Sequence, residues 1–404
     1  MMAIAIIEGG RGQLALERVD RAVREALHVH FAGERPAPLF VVPPGTDEAA
    51  TREEVLALGI PEGAGVLMRT SGSTTGTGKI VALSWDSLVA SVRATHDALG
   101  GPGVWAAHLP FHHIAGFQTV VRSALHSLAS ENSALCAVDL DLSDALAIRS
   151  ALNNHERVYL SLVPTQLLRI LDDPQVLDAL RQAVFLVGGA GIHAQTLERA
   201  RAAGLRIHTS YGMTETCGGC VYDGEPIGDT DILLSDEGRI SLRGSCIALG
   251  YLGQETGEDF TISPDADSQG QPRTHHTKDA GSFTDGKLDI LGRIDDAITT
   301  GGLTVMPSLI EAALAKTGWD AVVVGIPHLE WGEAVVAVVD DRAAHAQSCN
   351  ITVMRSFVKL ALGEGWAPTY VVGLSELSGT LPLTDSGKVN RRELSDMVAA
   401  HLSL

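Results

Sequence analysis

The sequence is short of positive charge. Against 49 Asp and Glu it sets only 30 Lys and Arg, a net charge of −19, and that balance argues against nucleic acid or an anionic membrane surface as the main partner. An anionic ligand would have to be met by locally placed cations and backbone N–H groups. The chain has no run of 18 uninterrupted apolar residues, so no integral membrane segment is expected. Its opening MMAIAIIEGGRG has no basic stretch before the short apolar run and no small-residue cleavage pattern. A soluble cytoplasmic protein is the expectation. Cysteines are few and odd in number, scattered as Cys136, Cys217, Cys220, Cys246 and Cys349, and read as reduced thiols rather than a disulfide frame. Cys217 and Cys220 form a CGGC, but no second pair or nearby His cluster completes a four-ligand metal set. Internal repeats and long linkers are absent too. With 404 residues, the chain exceeds what one hydrophobic core usually serves, and two or more domains are expected.

What is present is an alternation. GVWAAHLP, RVYLSLVP, AVFLVGG and LRIHTSYG read as strands, separated by Ala/Leu-rich helical stretches such as TQLLRILDD and AQTLERARAAG. That is the pattern of βα units around a mostly parallel sheet, whose ligands gather at the carboxyl ends of the strands. From about residue 225 short Gly/Asp-punctuated strands suggest a β-rich subdomain. The last hundred residues mix helices (Pro307 to Lys316, Ile351 to Leu362) with strands (DAVVVGIP, GEAVVAVVDD, TYVVGLSEL) and predict a small α+β domain.

Residues 70–80, TSGSTTGTGKI, supply hydroxyls, N–H groups and one ammonium suited to phosphate oxygens. They fail the familiar nucleotide-loop template twice, with Ser73 where it needs Gly and Ile80 where it needs Ser or Thr. Four further stretches matter. SYGMTET places Tyr211 to stack on a base, Thr214 to bond a phosphate oxygen and Glu215 to hold magnesium; an ordinary polar turn is the plain alternative. HTKDAGSF holds Asp279, suited to ribose hydroxyls. GRIDDAITTGGLTVMPSLIE offers Arg293, a turning point at Asp295 and Asp296, the flexible pair Gly301 and Gly302, and Pro307 to open a helix. LPLTDSGKVNRREL carries Lys388, which by itself would be read as solvated surface.

In this order and spacing, from about Met68 to Leu394, these motifs resemble the adenylate-forming superfamily of acyl-CoA synthetases, peptide-synthetase adenylation domains and luciferases. The resemblance implies ATP, Mg2+ and coenzyme A as cofactor and co-substrates. It assigns Thr70, Ser71, Gly72, Ser73, Thr74, Thr75 and Lys79 to a loop over the β- and γ-phosphates. Gly188, Gly189 and Ala190 become the adenine-lining turn with Tyr211 on the base, Thr214 the α-phosphate contact, Glu215 the magnesium ligand, and Asp279 and Arg293 the ribose pair. It further implies an α/β fold with a large domain, residues 1–294, of mostly parallel sheets packed with helices plus the β-rich subdomain, and a small mobile domain, 295–404, hinged near Asp295. That small domain would deliver Lys388 for adenylation and then line a pantetheine tunnel with Gly301 and Gly302. One departure stands out: Lys278 occupies the position before the ribose Asp where the family usually has Gly.

LPFHHIAGFQTVVRS adds His112, His113, Gln118 and Arg122; a helix starting near Ile114 puts Gln118 and Arg122 on one face. Little chain precedes Thr70 compared with most of the superfamily, and SLVPTQLLRIL and TSYGMTETCGGCVYDG resemble the compact o-succinylbenzoate-CoA ligases of menaquinone synthesis. A diacid substrate is thereby implied, with His113 among the catalytic residues and Arg122 holding the carboxylate that is not activated. Gln118, Thr165 and Gly219 are expected pocket neighbours, and CGGC supplies small lining residues. Another aryl or alkyl acid ligase, transfer to a carrier-protein thiol, and a nucleotide-binding regulator without catalysis all stay open at this point, as does a homo-oligomer.

Overall fold

The computed structural model describes residues 4–70, 78–129, 137–153, 155–254, 257–262, 272–341, 351–383 and 389–402. The chain forms two compact units, one of residues 1–233 and 241–277, the other of 234–240 and 278–404.

The first unit is built on two sheets. In the smaller, Ala5–Glu8, Leu39–Val42 and Val66–Arg69 run parallel, and Ile80–Leu83 and Gly250–Tyr251 complete it antiparallel. Its first connection is the helix Gln13–Phe31, whose buried Ala15, Leu16, Val19, Val23, Ala26 and Leu27 recur at helical spacing and make one apolar face. In the seven-stranded sheet, Val138–Asp139, Val104–Ala107, Val158–Leu162, Val184–Gly188 and Arg206–Met213 are all parallel. Gly218–Tyr222 and Glu225–Pro226 close that edge antiparallel. Val158–Leu162 is buried along its whole length, as expected of a strand covered on both faces. Leu160, Leu162, Phe185 and Val187 pack with Leu167, Ile170 and Ala200 of the flanking helices.

The expected strand and helix alternation is therefore present. The helix predicted near Ile114 begins at Ile114 and runs to Ala129, and that predicted over Ile351 to Leu362 has those ends. Among the described residues no helix is long and apolar enough to cross a membrane.

In the second unit Ala321–His328 and Gly332–Val339 form a hairpin, flanked by Ile298–Thr300 and by the parallel strand Tyr370–Gly373. Side-chain alternation splits its residues between two cores. Val323, Val335 and Ala337 meet Ile310, Leu314, Met354 and Val358 on one face; Val324, Ile326, Val336 and Val338 meet Leu394 and Val398 on the other. This is the predicted small α+β arrangement.

Candidate active site

Topology brings most of the sequence-predicted positions of the first unit to one edge. Four parallel strands end at Ala107, Leu162, Gly188 and Met213, and the turns beyond them carry His113, Thr165, Gly188 to Ala190, and Thr214 to Glu215. This is the carboxyl edge at which ligands bind in parallel sheets. Gly188 lies opposite Ser210, and a Cβ there would collide with the Ser210 carbonyl. Gly189, at φ 79°, then turns the chain, and Gly189 and Ala190 are exposed. The strand thus ends in an exposed glycine turn that allows close approach of a ligand to the backbone. Thr165 is exposed, whereas His113, Tyr211 and Thr214 are half-buried.

Glu215 is only 8% exposed. It sits in the short helical turn Thr214–Thr216 that follows the strand Arg206–Met213. Thr216 Oγ1 accepts the Met213 N–H at 2.9 Å and donates to the Gly218 carbonyl at 2.6 Å, fixing the turn from inside. Ala248 N–H donates to the Glu215 carbonyl at 2.8 Å, and the Tyr251 hydroxyl donates to Glu215 Oε1 at 2.6 Å. Tyr251 was not anticipated from the sequence. It lies on the short strand paired with Ile80–Leu83, opposite Val81, so one side chain joins the acid to the hairpin carrying the Gly/Ser/Thr loop.

That loop connects Val66–Arg69 to Ile80–Leu83. Thr70 N–H donates to the Lys79 carbonyl at 2.8 Å and closes its base. A Cβ on Gly78 would collide with the Thr70 carbonyl, so the narrow neck requires glycine. Ser71, Gly72, Ser73, Thr74 and Thr75 lie outside the described residues, as does Lys388. Lys79 pairs with Asp259 at 2.9 Å, and its ammonium lies 4.1 Å from the centroid of the Tyr251 ring. Asp259 also was not foreseen; a lone acid in a Gly/Asp-rich stretch carries no signal of its own. Behind it, His275 Nδ1 contacts the Asp259 carbonyl at 2.9 Å, and burial holds this imidazole below its ordinary pKa despite the nearby Glu215 and Asp259.

Along the helix Ile114–Ala129, Gln118 Nε2 donates to the Cys217 carbonyl at 2.6 Å, and Gln118 Cγ lies 3.6 Å from where a Cβ on Gly218 would be. Gly219, half-buried, has room for no side chain because a Cβ would meet Ser210 Oγ. Cys217, Cys220 and Cys246 are free and buried. Arg122, expected to hold the unactivated carboxylate, is 3% exposed, with its guanidinium 4.3 Å from the Trp105 ring centroid, Nη2 donating to Thr95 Oγ1 at 3.3 Å and Nε without a hydrogen-bond partner among the described residues. Thr95 in turn contacts the Tyr222 hydroxyl at 2.9 Å. Burial lowers the Arg122 pKa and, with the Arg122 charge and His126 adding to it, brings His96 down to about 4.

In the second unit Asp279 faces Arg293 across an antiparallel pair, but Arg293 is not turned to it. The guanidinium makes a two-pronged contact with Asp295, at 2.7 and 2.6 Å, and stands 4.0 Å from Asp279. Lys278 approaches the same Asp295 at 3.8 Å. The Asp295 hydrogen bonds raise the Arg293 pKa; burial pushes Asp295 upward, yet Arg293 and Lys278 together hold it below the usual carboxylate range. Gly301 and Gly302, at φ 56° and 82°, form the two-residue turn between Ile298–Thr300 and Leu303–Val305. Gly301 N–H donates to the Trp331 carbonyl at 3.0 Å.

Residues 46–252 match the family described as AMP-binding enzyme. A relative from Mycobacterium tuberculosis, described as a probable 2-succinylbenzoate--CoA ligase, is 35% identical over 81% of this chain and 83% of its own length. The 2-succinylbenzoate--CoA ligase of Enterococcus faecalis is 30% identical over 68% of this chain and 59% of its own. Among solved structures, o-succinylbenzoate CoA synthetase from Bacillus subtilis, in complex with an acyl-adenylate intermediate, has the same fold. It is 21% identical, with a TM-score of 0.68 over 97% of this chain and 88% of the other.

Proposed function

Because this chain belongs to the AMP-binding enzyme family, we propose that it joins 2-succinylbenzoate to coenzyme A at the expense of ATP, through an acyl adenylate, with release of pyrophosphate and AMP. The observation that carries this reading is the Glu215–Tyr251 hydrogen bond, which sets a buried carboxylate beside the hairpin of the Gly/Ser/Thr loop. The 35% identical relative supports the choice of acid.

A carboxylate resists thiol attack because its leaving group would be an oxide, so activation comes first. The substrate carboxylate attacks the α-phosphorus of ATP, and the obstacle is negative charge approaching negative charge. Glu215 fits Mg2+: it is a hard oxygen donor, fixed through one oxygen by Tyr251. No group of three or more His, Cys, Asp or Glu suited to a metal is present among the described residues, so phosphate oxygens and water would complete the shell. Bound there, Mg2+ supplies charge neutralisation where the two anions meet.

Lys79 is held by Asp259 until phosphate oxygens compete for its ammonium. The turn at Gly188 to Ala190 and Tyr211 receives the adenine, Thr214 the α-phosphate, and Asp279 with Arg293 the ribose. His113, Gln118, Thr165 and Gly219 border the acyl group. Lys388 is assigned to adenylation and the Gly301–Gly302 turn to the pantetheine arm, with residues near Asp295 as the hinge between the two half-reactions. Buried free thiols at Cys217, Cys220 and Cys246 agree with a cytoplasmic setting.

The test is pyrophosphate release with Mg-ATP and 2-succinylbenzoate, benzoate or a medium-chain fatty acid, each with and without coenzyme A. Release with the diacid, and its thioester once coenzyme A is added, is the expected result. Release with another acid alone keeps the mechanism and discards the substrate; silence with every acid despite ATP binding leaves a non-catalytic binder.

A further inference from the structure

We propose that Asp259 is the exchange partner of the ATP phosphates: its carboxylate holds the Lys79 ammonium before ATP binds, yields it to the β- and γ-phosphates, and takes it back as pyrophosphate leaves. The proposal rests on the function proposed above and makes Asp259 a positioning residue that acts through Lys79. The two residues stand 180 positions apart in the chain, and their backbones are anchored separately. On one side, the Lys79 carbonyl accepts the Thr70 N–H at 2.8 Å. The Gly78 carbonyl before it accepts Arg69 Nη1 at 3.0 Å, and Arg69 is itself held by Glu54 at 2.6 Å. On the other side, the Asp259 carbonyl meets the His276 N–H and His275 Nδ1, each at 2.9 Å. Phe260 then opens the strand Phe260–Ile262, pairs opposite His275, and sets its ring edge-on to Tyr251 with centroids 5.2 Å apart. With both backbones tied down, the pair opens by side-chain rotation alone.

The ammonium is 2.9 Å from Asp259 Oδ2 and 4.1 Å from the centroid of the Tyr251 ring. The hydroxyl of that ring donates to Glu215 Oε1 at 2.6 Å. Lys79 is therefore one ring away from the carboxylate assigned to Mg2+, on the side where metal-bound phosphates lie. The Lys79 and Asp259 side chains are 42% and 25% exposed, so an incoming anion can reach the pair. At 2.9 Å the carboxylate already uses the charge and one N–H of the ammonium, and a phosphate oxygen must displace it to make the same contact. A pair this open to water is weak, so it lowers phosphate affinity by a few fold without blocking ATP. The same penalty falls on pyrophosphate, and there it helps turnover, because a lysine with no waiting counter-ion would hold that product longer. The Tyr251 ring keeps the ammonium in place through the exchange, since its attraction for a cation does not depend on which anion is bound.

The experiment titrates Mg-ATP and Mg-pyrophosphate calorimetrically, with no acid substrate, into the unaltered protein and into Asp259→Asn, which keeps the size of the side chain and removes its charge. Both dissociation constants are expected to fall by roughly 3- to 5-fold, and Asp259→Glu, which keeps the charge, to return them toward the unaltered values. In a Lys79→Gln background the gain from Asp259→Asn should shrink to about twofold or less. Thermal unfolding of each variant checks that the fold is kept. Unchanged or weaker binding of both ligands in Asp259→Asn overturns the proposal. So does a gain that persists in full without Lys79, because the acid would then repel phosphates directly rather than compete for the lysine. Neither result touches the proposed function, whereas an unaltered protein that does not bind Mg-ATP removes the function and the proposal together.

Discussion

Two candidate nucleotide contacts, one in each unit, are held in opposite ways. Glu215 is buried, and its partner Tyr251 comes from a strand of the sheet that carries the phosphate loop. Arg293 is half-exposed and bound to Asp295 rather than to Asp279 across from it. The first contact is pre-arranged by strand pairing, so little is reorganised when charge arrives. The second must give up part of its two-pronged contact with Asp295 before it can meet a ribose hydroxyl.

The largest expected effect belongs to Lys388. Lys388→Ala should slow pyrophosphate release by a factor on the order of 10²–10³ while largely sparing thioester formation from supplied acyl adenylate; equal loss in both half-reactions removes the assigned role. Glu215→Gln comes next. Loss of its anionic donor should cost about 10²-fold in adenylation and raise the Mg2+ concentration needed for half-maximal rate, whereas a rate drop with unchanged Mg2+ dependence would make Glu215 a purely structural acid.

Much of this was legible in the sequence because βα units and glycine-rich turns leave local marks. SYGMTET ends one strand and LVGGAG another. Gly301 and Gly302 take the positive φ that only glycine adopts freely. What was not legible arises from long-range pairing: Tyr251 meets Glu215 only because a two-residue strand pairs with Ile80–Leu83, and short strands have almost no sequence signature. Arg122 was legible only in part. Its helix and face were read correctly, but spacing does not tell whether a face meets a ligand or Trp105.

Smaller effects sharpen the contrast between fixed and exchangeable charge. His96 is buried with a pKa near 4, against 6.5 ordinarily. A depressed histidine pKa contributes stability that is present above the unfolded value and lost as pH falls from about 6.5 toward 4. Between pH 7 and 5 His96 should therefore account for about 2 kcal/mol of lost stability, and His96→Leu should flatten the fall in urea-unfolding free energy by that amount. An unchanged slope would mean that His96 does not titrate as its burial implies.

Lys278, standing where the family usually has Gly, should matter least. Its contact with Asp295 is 3.8 Å long and half-exposed, so Lys278→Gly should change stability by about 0–1 kcal/mol and the KM for ATP by roughly twofold or less. A tenfold change would show that Lys278 helps decide which carboxylate Arg293 holds.

The proposed chemistry turns on activation of a diacid as its adenylate beside Glu215. Its most direct test is a single turnover of 2-succinylbenzoate with Mg-ATP and no coenzyme A, followed by mass analysis of the acid-quenched products. One pyrophosphate released per acyl adenylate formed, with conversion of that adenylate to the thioester when coenzyme A is added, is the expected result. ATP bound but unconsumed, or consumed to ADP and phosphate without an adenylate, would contradict it.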